Sequence, residues 1–267
     1  MKIPSRGGSN EETTGTALCI TAHPDDETLN AGAFLLMLAR RGIAAHVLCA
    51  TQGEKGQVGE PPVCEREELG AVREAELRCA ADALGVESVE VIGYLNPAYV
   101  IDSENLTAFE ANPAEFESRI VDACERLRPD IVITHGSQGE YGHPGHVLVH
   151  ETVLRAHQVL RARADIPVPA LYTFSAAVPG QQNACFNDVD PADIIIDVAP
   201  WVDKKVAAIA CHRTQHALFF SVFPEAHTLR DFLLMRCETE SLHRVWAPEG
   251  FDETAFFGPK VVVRSLD

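Results

Sequence analysis

Residues 17–27 read Ala17-Leu18-Cys19-Ile20-Thr21-Ala22-His23-Pro24-Asp25-Asp26-Glu27. The first five form an apolar run of the length of a buried strand. A histidine and three carboxylates then crowd into the positions from His23 to Glu27. A packed core has no place for such a set, because burying unpaired charge costs more than ordinary packing returns. The stretch therefore reads as a strand that ends in a site. No glycine loop follows the strand, which separates it from the dinucleotide-binding turn found at this place in many nucleotide enzymes.

Downstream the pattern alternates. Residues 27–41 carry Leu29, Ala33, Leu36 and Met37 at helical spacing and end at Gly42, a natural C-cap. Residues 44–50 form a second apolar run, followed by the glycine-rich loop Thr51-Gln52-Gly53-Glu54-Lys55-Gly56-Gln57-Val58-Gly59. Residues 65–85 predict a long helix with Leu69, Leu77, Ala80 and Leu84 on one face, and Arg73 on that same face. An arginine in such a stripe more often lets its head reach the surface than meets a buried anion. A third strand is expected at 89–92, then an irregular loop over 94–107 that carries Asp102. Asn112-Pro113-Ala114-Glu115 is a helix start, with a capping residue, a proline at the first helical position and a glutamate at the third.

Residues 130–134 are a fourth strand, leading into His135-Gly136-Ser137-Gln138-Gly139-Glu140-Tyr141-Gly142-His143-Pro144-Gly145-His146 and a helix to about Ala162. Beyond it, strands are expected at 171–174, 194–198 and 261–263, and helices at 201–211 and 229–245. Four strands alternating with helices imply right-handed crossovers and a parallel sheet covered on both faces. The expected fold class is α/β, a Rossmann-like three-layer sandwich with a mostly parallel sheet. With 267 residues, 46% of them hydrophobic, the chain can bury one sizeable core, so a single domain over 1–267 is expected, with a flexible tail at 1–14.

Twenty-two basic residues against thirty-nine acidic ones leave a net charge of -17, which repels nucleic acid and anionic membrane surfaces. The longest apolar run, residues 31–39, is too short to span a bilayer, and the polar start lacks a signal-peptide core. The eight cysteines, at 19, 49, 64, 79, 124, 185, 211 and 237, include no C-x-x-C pair. Reduced thiols in a cytoplasmic protein are the expectation.

Ligands of an open parallel sheet bind beyond the carboxyl ends of its strands. The acidic cluster, the Gly53-Glu54 loop and the two-histidine loop all sit at such ends, so one crevice can collect them. His23 and Asp26 are three apart, as are His143 and His146, and each pair can share a face. Two imidazoles and a carboxylate, with a water in the fourth position, are a usual catalytic zinc set. The bland alternatives are that Asp25 or Asp26 only caps the following helix, and that an H-x-x-H pair arises by chance among eleven histidines.

At these residues the sequence resembles the LmbE/PIG-L family of zinc-dependent N-deacetylases, which remove acetyl groups from amino sugars and their conjugates. The resemblance covers residues 22–27, Thr51-Gln52-Gly53-Glu54, Arg73-Glu74-Ala75-Glu76-Leu77, Tyr141 to His146, and residues 205–215 ending His212-Arg213-Thr214-Gln215. It implies a hydrolase acting on the N-acetyl group of an N-acetylglucosamine-type conjugate. His23, Asp26 and His146 become ligands of Zn2+, a donor set that also accepts another divalent metal such as Fe2+. Asp25 becomes the general base, and His143 the group that polarises the carbonyl or protonates the leaving amine. Tyr141, Arg73, Glu54 and Asp102 become substrate contacts. Where the family often has His-Pro-Asp-His, this chain has Gly145, so the carboxylate that orients a histidine has to come from elsewhere, with Glu140 a candidate. The implied partner is a small-molecule amino-sugar conjugate. The carrier of the amine and the oligomeric state, homo-oligomer or monomer, are not written in the sequence. Hydrolysis of another amide, such as a thiol-sugar conjugate, and sugar binding without turnover, for which Gly145 is the hint, are the alternative readings.

Overall fold

The computed structural model describes residues 15–97, 106–181, 185, 187–236 and 238–258. Asp102, the 1–14 tail and the strand expected at 261–263 lie outside the described residues. The chain runs β1 (Gly15–Thr21), α1 (Asp26–Arg40), β2 (Ile43–Thr51), α2 (Leu69–Leu84), β3 (Ser88–Tyr94), α3 (Pro113–Leu127) and β4 (Ile131–Thr134). A short turn α4 (Gly139–Gly142) and the long α5 (Pro144–Arg161) follow, then β5 (Ala170–Phe174), the small pair β6 (Ala176–Ala177) and β7 (Asn187–Pro191), and β8 (Ile194–Asp197). The remainder is α6 (Val202–Ile209), α7 (His216–Val222), α8 (Leu229–Arg236), β9 (Thr239–Trp246) and α9 (Glu253–Phe257).

Seven strands form the central sheet in the order β3-β2-β1-β4-β5-β9-β8. Pairing is parallel from β3 through β5, and β9 is antiparallel to both of its neighbours. Strand alternation divides the core into two layers. Ala17 and Cys19 of β1 face the layer that holds Phe34, Leu35 and Leu38 of α1 and Leu77 of α2. Leu18 and Ile20 face Phe116 and Ile120 of α3 and Val149 and Val153 of α5. A slip of one residue would exchange the two sets, and each fully buried side chain of this size contributes about 1.5–3 kcal/mol. The register Ala17↔Ile131 to Ile20↔Thr134 between β1 and β4 is held by that match.

Local signals act as read. Asn112 accepts hydrogen bonds from Ala114 N and Glu115 N, 3.0 and 3.1 Å away, and Pro113 fills the first turn of α3. The strand order carries the functional consequence. After β1 the chain winds to β2 and β3 on one side, and later returns to β4 on the other. The crevice between the carboxyl ends of β1 and β4 is the point where an open sheet of this kind takes its ligand.

Two expectations need correction. The helix expected over 229–245 ends at Arg236, and Thr239–Trp246 is instead the strand β9, inserted between β5 and β8. Sheet pairing overrides local propensity there. The buried Glu240 that disguised the strand pairs with the buried Lys205, and it also accepts from the N–H groups of Ala33 and Phe34 in α1. The cysteines are not all reduced either: Cys79 of α2 and Cys211, just beyond α6, form a disulfide with their Cα atoms 5.8 Å apart. The 132 residues between them hide the pairing in the sequence, and packing of α2 against α6 creates it. Among the described residues no helix is long and apolar enough to cross a membrane. A digest under non-reducing conditions should return a peptide joining Cys79 to Cys211, while a thiol count equal to all eight cysteines before reduction would contradict this packing.

Candidate active site

The polar ends of β1, β2 and β4 meet in one open cavity, whose walls include His23, Asp25, Asp26, Arg73, Tyr141 and His143. The β2 end is tied to the β1 end, because Thr51 donates to Ala22 O through both its N–H and its hydroxyl.

His23, Asp26 and His146 converge at the base. Asp26 Oδ2 lies 3.5 Å from His23 Nδ1, and Asp26 Oδ1 lies 3.3 Å from His146 Nε2. Asp26 Oδ2 also accepts the backbone N–H of His23 at 2.8 Å, so it closes the turn rather than capping α1. Burial opposes the charge of Asp26, but the surrounding His146 and His135 rings outweigh it and hold the carboxyl well below its ordinary value. Burial lowers His23 toward the neutral form that a metal ligand needs.

His146 supplies the most direct test of whether the site suits a metal. Its Nδ1 meets Glu140 Oε2 at 2.6 Å, and a carboxylate accepts, so the ring proton is on Nδ1. Nε2 then carries a bare lone pair; it is buried and has no hydrogen-bond partner among the described residues. An orphaned imidazole nitrogen beside an ionised carboxylate and a second imidazole is the donor set a divalent cation completes, and the Glu140–His146 contact is the outer support such ligands use. Among the described residues, the groups whose donor atoms all lie within 4.8 Å of one another are His23, His143 and His146, and separately Asp26, His135 and His146. The ring of His135 is already engaged, with Nδ1 2.8 Å from Glu140 Oε2 and Nε2 accepting Ala22 N–H at 3.0 Å.

Glu140 is thus the orienting acid. Its other oxygen accepts Gly136 N–H at 3.0 Å, and burial of its charge is offset by the two imidazoles. A kink with φ 61° and ψ -86° at Glu140 turns this side chain inward. Gly145, in the place of the expected aspartate, is closely packed: a Cβ there would lie 3.2 Å from His143 Nδ1 and 3.3 Å from His23 Cε1, so those rings would have to give by a few tenths of an ångström to admit one. The Gly145 N–H donates to His143 Nδ1 at 3.0 Å, which leaves Nε2 as the proton-bearing nitrogen of that ring. Burial, then the neighbouring His23 and His146, keep His143 neutral by lowering it far below its ordinary value.

Asp25 stands beside this group in a strained backbone conformation, φ 122°. Its side chain makes no cap for α1, and the Arg73 guanidinium lies 3.0 Å from its Oδ2. Burial raises the Asp25 carboxyl to about 7, against the opposing pull of Arg73. Arg73 therefore meets a buried anion, contrary to the commoner outcome expected of it. It also donates to Pro24 O at 2.5 Å and Gly53 O at 3.0 Å, and any Cβ at Gly53 would collide with the guanidinium at 2.3 Å.

Of the residues singled out from sequence, His23, Asp25, Asp26, His143 and His146 come together, with Arg73 behind Asp25. Tyr141 is half exposed at the rim, its ring 5.8 Å from that of His143. Glu54 is drawn aside: its carboxylate accepts from Asn96 N at 2.8 Å and from Asn96 Nδ2 at 3.4 Å, and so props a cavity-wall residue. Asp102 lies outside the described residues. Sequence reasoning missed Asn187, whose Oδ1 accepts from Gln138 N and Glu140 N and so stitches the β4 loop in place; no local pattern marks it. It also undervalued Glu27, His150 and His212, all buried. His150 Nδ1 donates to His135 O at 2.9 Å.

The family model described as "PIG-L: GlcNAc-PI de-N-acetylase" matches residues 18–157. A 1D-myo-inositol 2-acetamido-2-deoxy-alpha-D-glucopyranoside deacetylase of Mycobacterium sp. (strain KMS) is 33% identical over 235 residues, 74% of this chain and 73% of that one. Among solved structures, the 4-carboxy-2-hydroxymuconate hydratase GalB from Pseudomonas putida KT2440 has a TM-score of 0.61 at 22% identity, over 89% of this chain and 99% of its own. The N,N'-diacetylchitobiose deacetylase from Pyrococcus horikoshii has a TM-score of 0.57 at 18% identity, over 79% and 75%. These two share the fold; since one is a hydratase and the other a deacetylase, the architecture alone does not select a reaction. Glu140→Gln, which removes the charge facing both imidazoles and sets an NH2 donor against the Gly136 N–H, should weaken divalent-metal affinity about 10–100-fold in a chelator-competition titration, with the circular dichroism spectrum unchanged.

Proposed function

The chain belongs to the PIG-L family of GlcNAc-PI de-N-acetylases, and on that premise we propose that it is a zinc-dependent hydrolase that removes the acetyl group from the N-acetylamino sugar of a small-molecule conjugate. The observation that carries the reading is the joint arrangement at the β1–β4 crevice: three metal donors at the base, a buried carboxylate beside them, and a neutral histidine, His143, packed against His23 and His146. Family membership and the relative named for a GlcNAc–inositol substrate support the N-acetylglucosaminyl class, and GlcNAc–inositol is the first substrate to try.

His23, Asp26 and His146 would hold the cation. Two imidazoles and one carboxylate suit zinc, which when bound supplies positive charge that acidifies water and polarises a carbonyl. The chain's own groups divide the remaining work. Asp25 takes a proton from the water whose oxygen bonds to the acetamide carbon, and a carboxyl raised to about 7 is matched to that task near neutral pH. Arg73 fixes the direction of that carboxylate. The Nε2–H of His143 donates a hydrogen bond to the acetamide carbonyl oxygen as negative charge develops there, and the proton that Asp25 has taken from the water passes to the departing nitrogen as the C–N bond breaks, giving acetate and a free amine. Tyr141, half exposed at the rim, is placed to touch the sugar.

Asp25→Ala should retain bound metal while acetate release from GlcNAc–inositol falls by about 10²–10⁴-fold, the usual contribution of a general base. Hydrolysis at the wild-type rate would remove Asp25 from the mechanism.

A further inference from the structure

Asp25 is held from two directions, and both holds originate on α2. Arg73 grips its carboxylate directly. The second hold passes through Glu27, a fully buried carboxylate whose Oε2 accepts the Asp25 backbone N–H at 3.0 Å. The other Glu27 oxygen accepts the Thr28 hydroxyl at 2.6 Å and lies 3.2 Å from His212 Nε2. Since a carboxylate only accepts, His212 donates from Nε2. His212 is itself fully buried, 185 positions away in the sequence, and its Nδ1 has no partner among the described residues.

The segment around His212 is clamped to α2 on both sides. Cys211 is joined to Cys79 of α2, and Thr214 donates from its N–H and its hydroxyl to the Glu76 carboxylate of α2, at 2.9 and 2.6 Å. A buried imidazole fixed this firmly against a buried carboxylate is more than filling. A non-glycine residue at φ 122° is strained and persists only where its surroundings impose it. The N–H that Glu27 captures belongs to that strained residue.

We propose that His212 is a positioning residue: acting through Glu27, it holds Asp25 in the backbone conformation that turns its carboxylate to the cavity. The inference rests on the deacetylase reading of the site. Among the described residues the His212 ring meets Glu27 and Thr28 rather than the donors His23, Asp26 and His146, and it does not itself line the cavity, so its effect reaches turnover and leaves metal and substrate binding alone. Because His212 and Glu27 act in series, removing one makes the other redundant.

The test is a double-mutant cycle on the zinc-loaded protein, with acetate release from GlcNAc–inositol, bound zinc and a crystal structure as readouts. His212→Ala should lower kcat on the order of 10²-fold, the cost of misplacing a catalytic group by about 1 Å, with KM and zinc content within about twofold of wild type by the same reasoning. In a Glu27→Gln background the further loss should be less than about threefold, because interacting sites are not additive. The Asp25 φ angle in the His212→Ala crystal should relax to a negative value. His212→Asn supplies the same comparison if the alanine variant does not fold. Equal losses in both backgrounds, a loss carried by KM or by zinc content, or an unchanged Asp25 φ would overturn the proposal. If the wild-type protein releases no acetate, the deacetylase reading fails, and the Asp25 φ angle in the variant still decides the positioning role.

Discussion

One carboxylate sets the proton positions across the candidate centre. Glu140 Oε2 is shared by the Nδ1 atoms of His135 and His146, at 2.8 and 2.6 Å, and so fixes both tautomers and both ring planes. The consequence at His146 is a buried Nε2 with a bare lone pair and no hydrogen-bond partner among the described residues. At His135 it is an Nε2 free to accept Ala22 N–H, which binds the end of β4 to the end of β1. A single buried acid therefore joins the two strands of the switch point and prepares a metal donor. Removing one member of a buried charged cluster costs about 3–5 kcal/mol, because the remaining groups stay desolvated without compensation. The β4 loop is accordingly stitched in place by Asn187 and Asp190, the latter accepting from Ser137 N and Oγ.

The parallel half of the fold was legible because its physics is local. Apolar runs of strand length alternate with helical stripes, and parallel pairing with buried crossovers follows from that alternation. The site was legible for the same reason: polar clusters after β1, β2 and β4 have no other use than at the ligand-binding edge. The two histidine pairs were readable from their spacing, and the resemblance to a family assigned their roles.

What stayed hidden depended on long-range packing. Glu140 is five positions from His135 and six from His146, spacings that no regular helix brings together, and only the kink at φ 61° makes the contacts. Asn187 meets Glu140 across 47 positions, and Glu27 meets His212 across 185. β9 was disguised as helix because Glu240 is a charged residue inside a buried strand, a place it holds through Lys205. The Cys79–Cys211 bridge joins helices that are adjacent only in the folded chain. Gly145, which in sequence looked like a missing acid, donates its backbone N–H to His143 Nδ1, while the orienting carboxylate comes from Glu140.

The central claim is that the β1–β4 crevice is a metal-dependent deacetylating centre. Stoichiometric acetate and free amine should appear when GlcNAc–inositol is incubated with the purified protein and Zn2+, should cease when the metal is stripped by a chelator, and should return when Zn2+ is restored. Acetate release at an undiminished rate from the fully stripped protein, or none from the zinc-loaded one, would contradict the account.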